Sequence, residues 1–222
     1  MAPRVVDART VEVSRNELTE RSRDRILAAA LEEFANRGFD GTTTAEIARR
    51  AGVTQPLVHY HFDSKDALWR ATVTGAFDNA VGAFDGVLTE LADLDTVDQM
   101  KVLVRRFVRF SATHPELGRI ISYEGVQGGP RLQWLIERHM TGQFEWFREL
   151  LDRGVDSGRI KRLPPEHVLS SLSAAGAYLF IVKSAMHEMH GIDVADPAVI
   201  EAHADTVVEI FFHGLVAEGG RG

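Results

Sequence analysis

Twenty residues, Thr43 to Phe62, constrain the fold of this chain more than any other stretch of it. Thr43 precedes Glu46 by three positions, the capping-box spacing, so a helix opens there and runs to about Ala51. Gly52 breaks that helix and can take the positive φ a tight turn needs. Thr54 stands at the cap of a second short helix, which ends near Phe62. Pro56 is tolerated there because the first turn has no backbone donor to lose. Ala48 is small enough for two helices to cross closely, and Val58 is placed to plug the angle between them. A small residue, a turn glycine four positions on and a buried aliphatic six beyond define a helix-turn-helix, which presents its second helix to the major groove.

The remainder is helix punctuated by Gly and Pro. Residues 1–18 lack helical periodicity and read as a flexible arm. From about Thr19 the pattern turns helical, with Ile26, Ala30 and Phe34 on one stripe beside Leu27 and Leu31, and Gly38 closes it. Ser64 caps a long helix whose Leu68, Val73, Phe77, Val81, Phe84 and Leu88 keep helical spacing to about Leu91. Further helices are expected at 96–113, 115–124, 130–156, 165–190 and 197–217. His114-Pro115, Gly128-Gly129-Pro130, Pro164-Pro165 and Asp196-Pro197 separate them. No β-type alternation persists, so the expected fold is all-α. A three-helix DNA-binding head over 19–65 is joined by a long helix to a helical bundle over 66–222.

Composition narrows the function. The chain has no cysteine, which excludes disulfide frameworks, thiolate zinc sites and cysteine nucleophiles. The net charge of −7 seems unsuited to nucleic acid, but it is unevenly spread. Residues 1–65 hold 10 basic and 10 acidic side chains, and residues 66–222 hold 15 and 22. Steering to DNA depends on patches within a Debye length of about 8–10 Å, so a neutral head on an acidic body permits it. No apolar run is long enough to span a membrane, and Asp7, Glu12, Glu17 and Glu20 are foreign to a secretory signal. The expected location is cytoplasmic.

The stretch from Ile26 to Leu68 resembles the TetR family of transcriptional regulators. The resemblance rests on Phe34, Gly38, Thr43-Thr44, Ile47-Ala48, Ala51-Gly52-Val53, Val58 to Phe62 and Ser64 to Leu68. One departure is His59, where many members carry tyrosine. Gln55, near the start of the recognition helix, has the amide geometry for a bidentate contact to adenine or a single bond to guanine. Pro56 offers an apolar face to a thymine methyl, and His59, one turn on, reaches a base or a phosphate. Thr54 belongs to the same candidate surface. The resemblance implies phosphate contacts from Thr43 or Thr44, Tyr60, His61 and Lys65, the last at a helix N-terminus that itself attracts anions. Arg4, Arg9 and Arg15 are read as part of a disordered leader, with minor-groove insertion as the alternative.

For the body, the resemblance implies a homodimer through the last two long helices, and with it a palindromic operator on double-stranded DNA. Ser170, Ser171, Ser173, Ala174, Ala175, Gly176 and Ala177 would allow close approach there, beside a stripe of Val199, His203, Val207, Ile210, Phe211 and Leu215. It also implies an effector cavity with candidate walls at Phe84, Phe107, Phe110, Tyr123, Trp134, Phe144, Phe147 and Tyr178. Candidate polar anchors are Glu124, Gln127, Lys183 and His187. The runs His114 to Leu117, Glu124-Gly125 and Gly129 to Leu132 are similar to a subset of the family that includes pyrimidine-responsive regulators, a similarity that does not identify an effector. The expected activity is repression from a palindromic operator, relieved by an unknown small molecule, in a bacterial cytoplasm and at the nucleoid when DNA is bound.

Two other classes compete with this reading. An enzyme finds no phosphate loop, nucleophile elbow or carboxylate pair. His187-Glu188-Met189-His190 misses the zinc-protease spacing by one residue, because position 191 is Gly. His187, His190, His203 and His213 remain a candidate metal cluster on neighbouring helices. The other class is an interaction protein whose helix-turn-helix no longer reads DNA, against which Gln55, Tyr60 and Lys65 argue. No catalytic residue, cofactor or metal is assigned.

Overall fold

The computed structural model describes residues 8–215, and every regular element among them is helical. The packing falls into two units divided between Ala76 and Phe77.

The first unit contains α1 (Ala8–Arg37), α2 (Thr44–Ala51), α3 (Gln55–His61) and the start of α4 (Lys65–Phe84). α1 begins at Ala8, so the flexible arm expected over 1–18 is helical from that point, with Arg9 and Arg15 on it. No Gly or Pro stands between Ala8 and Arg37, and a helix nucleated by the stripe at 26–34 propagates backward at little cost per residue. Residues 1–7, and Arg4 with them, lie outside the described residues.

The stripe itself is core. Ile26, Ala30 and Phe34 are buried, and Gly38 ends the packed segment at φ 68°. Phe39 stacks on Phe34 with centroids 6.0 Å apart and meets the edge of Trp69 at 6.4 Å. The buried Phe34 ring contributes roughly 1.5–3 kcal/mol. Trp69 lies on α4, so the beginning of that helix belongs to the head. This moves the division from the expected 65/66 to beyond Ala76. Thr42, fully buried, donates its hydroxyl to the carbonyls of Glu33 and Gly38, which pins the loop entering α2.

The second unit takes the rest of α4, then α5 (Val87–Glu90), α6 (Thr96–Thr113), α7 (Pro115–Gln127) and α8 (Pro130–Leu135). A π-helical turn (Ile136–Met140), α9 (Thr141–Asp156), α10 (Pro165–Ile181), α11 (Lys183–His190) and α12 (Pro197–Leu215) complete it. Asp95 opens α6 by accepting from the Asp98 amide at 3.0 Å. The helix then buries Val97, Met100, Val104 and Val108 at helical spacing. α12 packs on α6, burying Ala204, Val207 and Val208. Two ion pairs tie these helices: Arg105 to Asp205 at 2.8 Å, and Arg109 to Glu201 by two bonds of 2.6 Å.

Three breaks depart from the expected helices. Gly86, at φ 69°, ends the long helix and starts α5. The helix expected over 130–156 is interrupted by the π turn. The one expected over 165–190 bends by 67° at Val182. Among the described residues, no single helix is long and apolar enough to cross a membrane.

Candidate nucleic-acid interface and ligand cavity

The head is built so that one side of α3 packs and the other does not. α2 opens where the Thr43 hydroxyl accepts from the Glu46 amide at 3.2 Å. It closes at Gly52, whose φ of 63° and ψ of 38° are the left-handed turn the motif requires. Thr54 occupies the cap position of α3, but its side chain makes no cap bond and stays exposed. Ser64 does cap α4, accepting from the Ala67 amide at 3.0 Å. Ile47, Ala48, Ala51 and Val58 are buried, so the crossing of the two short helices is a packed one.

On the opposite side of α3, Gln55, Pro56, His59 and Tyr60 are exposed, and Thr43 lies exposed on the same unit. Tyr60 leaves 75% of its surface to solvent, a large ring held out by a helix of seven residues. The Gln55 side-chain amide donates to the Thr44 hydroxyl at 3.2 Å, which holds it in one orientation. Lys65 and His61 turn inward instead. The Lys65 ammonium donates to the Thr42 carbonyl at 2.7 Å and sits 4.3 Å above the Phe39 ring. His61 is half-buried with its Nε2 enclosed and unpartnered. Burial, and then the nearby Arg23, push its pKa below the ordinary histidine value.

The positive charges of the head divide in the same way. Glu33, 1% exposed, accepts from Arg50 Nε at 2.7 Å and pairs with Arg37 at 3.4 Å, while Arg50 also meets Glu32 and Arg37 meets Glu46. Arg25 and Arg49 are exposed, and the Arg25 guanidinium lies 3.8 Å from where a Cβ on Gly52 would stand. Sequence reasoning gave these two no role. The approach of Arg25 to the turn follows from how α1 crosses the motif, which no local pattern encodes.

The second unit holds an open-mouthed cavity of about 900 Å³. Of the expected walls, Phe84, Phe107, Phe110, Phe144 and Phe147 line it. Tyr123, Glu124, Trp134, Tyr178 and Lys183 do not, and neither do Gln127 and His187. Tyr178 and Lys183 are exposed. Glu124 is buried against Arg131, whose Nε donates to both carboxylate oxygens at 3.1 and 3.2 Å. Trp134 packs edge-on against His139 at 5.0 Å. Sequence reasoning missed Phe77, Met100, Leu103 and Val104 as walls, and it missed the π turn. Ile136, His139 and Met140 all line the cavity, and no sequence signal marks a π turn as such.

The small-residue stretch of α10 is used partly within the chain. A Cβ on Gly176 would lie 2.7 Å from the Phe107 ring, so that glycine serves the crossing of α10 over α6. Val207 is core, and His203 bonds the Ala175 carbonyl at 2.9 Å. Ser170, Ser171, Ala174, Tyr178 and Ile210 remain exposed. Among the described residues no three His, Asp or Glu side chains gather to hold a metal ion.

Comparison with known proteins places both units. The family described as bacterial regulatory proteins, tetR family, matches residues 26–72. The tetracyclin repressor-like C-terminal domain matches residues 97–210. The HTH-type transcriptional regulator RutR of Escherichia coli K12 is 24% identical over 190 residues, covering 86% of this chain and 88% of that one. HlyIIR, a hemolysin II transcriptional regulator, superposes with a TM-score of 0.68 at 19% identity over 90% of this chain and 99% of its own. AibR, solved in complex with isovaleryl coenzyme A and operator DNA, does so with a TM-score of 0.68 at 18% identity over 86% and 98%. With the second family profile alone spanning half of its length, the chain belongs to the TetR family of DNA-binding transcriptional regulators.

Proposed function

We propose that the chain is a dimeric repressor that holds a palindromic operator and releases it when a small molecule enters the cavity of the second unit. The observation that carries the reading is the two-sidedness of α3: Val58 is buried, while Gln55, Pro56, His59 and Tyr60 are exposed. Gln55, oriented by Thr44, reads a base edge, and Pro56 and His59 add preference beside it. Thr43, Thr54 and Tyr60 fix register on the phosphates, with Arg25 and Arg49 supplying the exposed charge. Lys65 and His61 act mainly by holding the head together, since both face inward.

One short recognition helix gives weak specificity, so two are needed about one DNA turn (~34–36 Å) apart. The exposed faces of α10 and α12, with Tyr178 and Ile210, are the proposed contact between subunits in the cytoplasm. α4 begins in the head and ends at Phe84 in the cavity wall, which makes it the proposed lever. An effector shifts the equilibrium only by its differential affinity for two arrangements, typically ~1–3 kcal/mol. Anisotropy of a labelled operator titrated with a cavity ligand tests this. Release is expected, and tight ligand binding with unchanged operator affinity contradicts it.

A further inference from the structure

Resting on the reading that this cavity is the effector site, we infer that its ligand is a neutral, lipophilic molecule rather than an acid, an ammonium, a coenzyme A ester or a pyrimidine. The evidence is the chemistry of the wall. Phe77, Phe84, Phe107, Phe110, Phe144 and Phe147 supply six rings, and Met100, Leu103 and Val104 fill between them. Among the described residues no Lys or Arg contributes to the lining. An anionic head inside has no cation to meet, and a cationic head gains about 2 kcal/mol from the ring faces, less than the several kcal/mol that burying an ion without a counter-charge costs.

Among the described residues Asp85 is the one acid of the lining, and it is exposed, so its charge is already answered by water and draws an ammonium ligand weakly. The polar side chains of the lining are few: the His139 imidazole, clamped between Phe77 at 4.6 Å and Trp134, the Ser173 hydroxyl, and the exposed Thr89, Thr141 and Gln143. The two that are not exposed suit one hydroxyl or carbonyl. A pyrimidine base, with donors and acceptors around its whole edge, would leave several of them unpaired.

The size and the mouth agree. A volume of about 900 Å³ is near the upper end of small-molecule sites, which run from about 300 to 1,000 Å³. Val81, Ile136 and Trp146 line the cavity yet are 51%, 43% and 37% exposed. These three give the rim, which also carries Asp85, Thr141 and Gln143, an apolar side along which a lipophilic molecule can enter. The π turn contributes to both parts, with Ile136 at the rim and His139 and Met140 in the wall.

The test uses the full chain and N-phenyl-1-naphthylamine, a neutral dye that brightens in apolar surroundings. It is displaced by three competitors with the same chain and different heads: 1-dodecanol, dodecanoate and dodecyltrimethylammonium, each below its micelle threshold. Dodecanol is expected to displace the dye at concentrations about tenfold lower than either charged analogue. Equal or better competition by dodecanoate or by the ammonium overturns the neutral class and leaves the cavity reading standing. Ala80→Trp and Ser173→Trp place a ring in the cavity from two sides, and each is expected to abolish dye binding with its helical circular dichroism retained. Dye binding that is absent from the unmodified chain, or that persists in both folded variants, overturns the cavity reading and this inference with it. The competition series needs no variant to fold.

Discussion

Gly176→Ala isolates the crossing that shapes the cavity. A methyl group there would stand 2.7 and 2.8 Å from two carbons of the Phe107 ring, inside the distance at which something must move. Two terms oppose each other. Alanine in place of a mid-helix glycine favours α10 by about 1 kcal/mol. Overpacking a close contact costs about 1–3 kcal/mol. The net is a destabilisation of about 0–2 kcal/mol, or roughly 0–8 °C in Tm at about 2–4 °C per kcal/mol for a chain of this size. Because Phe107 lines the cavity, its displaced ring takes up ligand space, so affinity for a neutral dye falls even where Tm barely moves. Phe107→Leu in the same chain removes the clashing ring edge and restores both. The assay is a double-mutant cycle read by thermal melting and dye titration, with a coupling of about 0.5–3 kcal/mol expected for residues in contact. A Gly176→Ala chain that is more stable by the full helix-propensity gain, with dye affinity intact and no coupling to Phe107, refutes the crossing.

The other predictions concern the head and the buried histidines. Gln55→Ala relaxes base preference at one operator position, costing about 1–3 kcal/mol there and little elsewhere, as a panel of singly substituted operators measures. Arg25→Ala and Arg49→Ala each weaken binding to all sequences alike and lower the salt slope by about 0.9 per subunit, read from affinities between low and moderate salt. Lys65→Met costs about 1.5–3 kcal/mol of head stability through the lost charged hydrogen bond to Thr42, while changing the salt slope less than either arginine. His61, His139 and His203 all have pKa values lowered, by burial first, so the folded chain binds fewer protons than the unfolded one. Their stability contribution is complete above the unfolded value of about 6.5 and is lost as pH falls below it. Tm is therefore expected to drop between about pH 6.5 and 5, and His203→Asn to flatten part of that drop.

What was legible in the sequence followed the range of the interactions. The capping spacing of Thr43 and Glu46, the φ of Gly52 and the burial of Ala48 and Val58 are settled within a few residues, so the two short helices were found with their ends. Phe107, Phe110 and Phe147 were found as cavity walls because they lie on faces of helices that must pack. Glu124 was misread because its partner, Arg131, sits across the Gly128-Gly129 turn, and nothing local says which side chain a buried acid will meet. The start of α1 was placed too late because the absence of a breaker is a weaker signal than an apolar stripe. The π turn, the bend at Val182 and the approach of Arg25 to Gly52 arise from tertiary packing, which periodicity does not carry.

Selection of genomic DNA fragments by the purified chain, followed by footprinting of the enriched ones, tests the central claim most directly. The account predicts protection of a short inverted repeat whose half-sites are about one helical turn apart, lost when Gln55→Ala is combined with Arg25→Ala. Salt-sensitive binding that enriches no sequence, or a protected site with no internal symmetry, would contradict it.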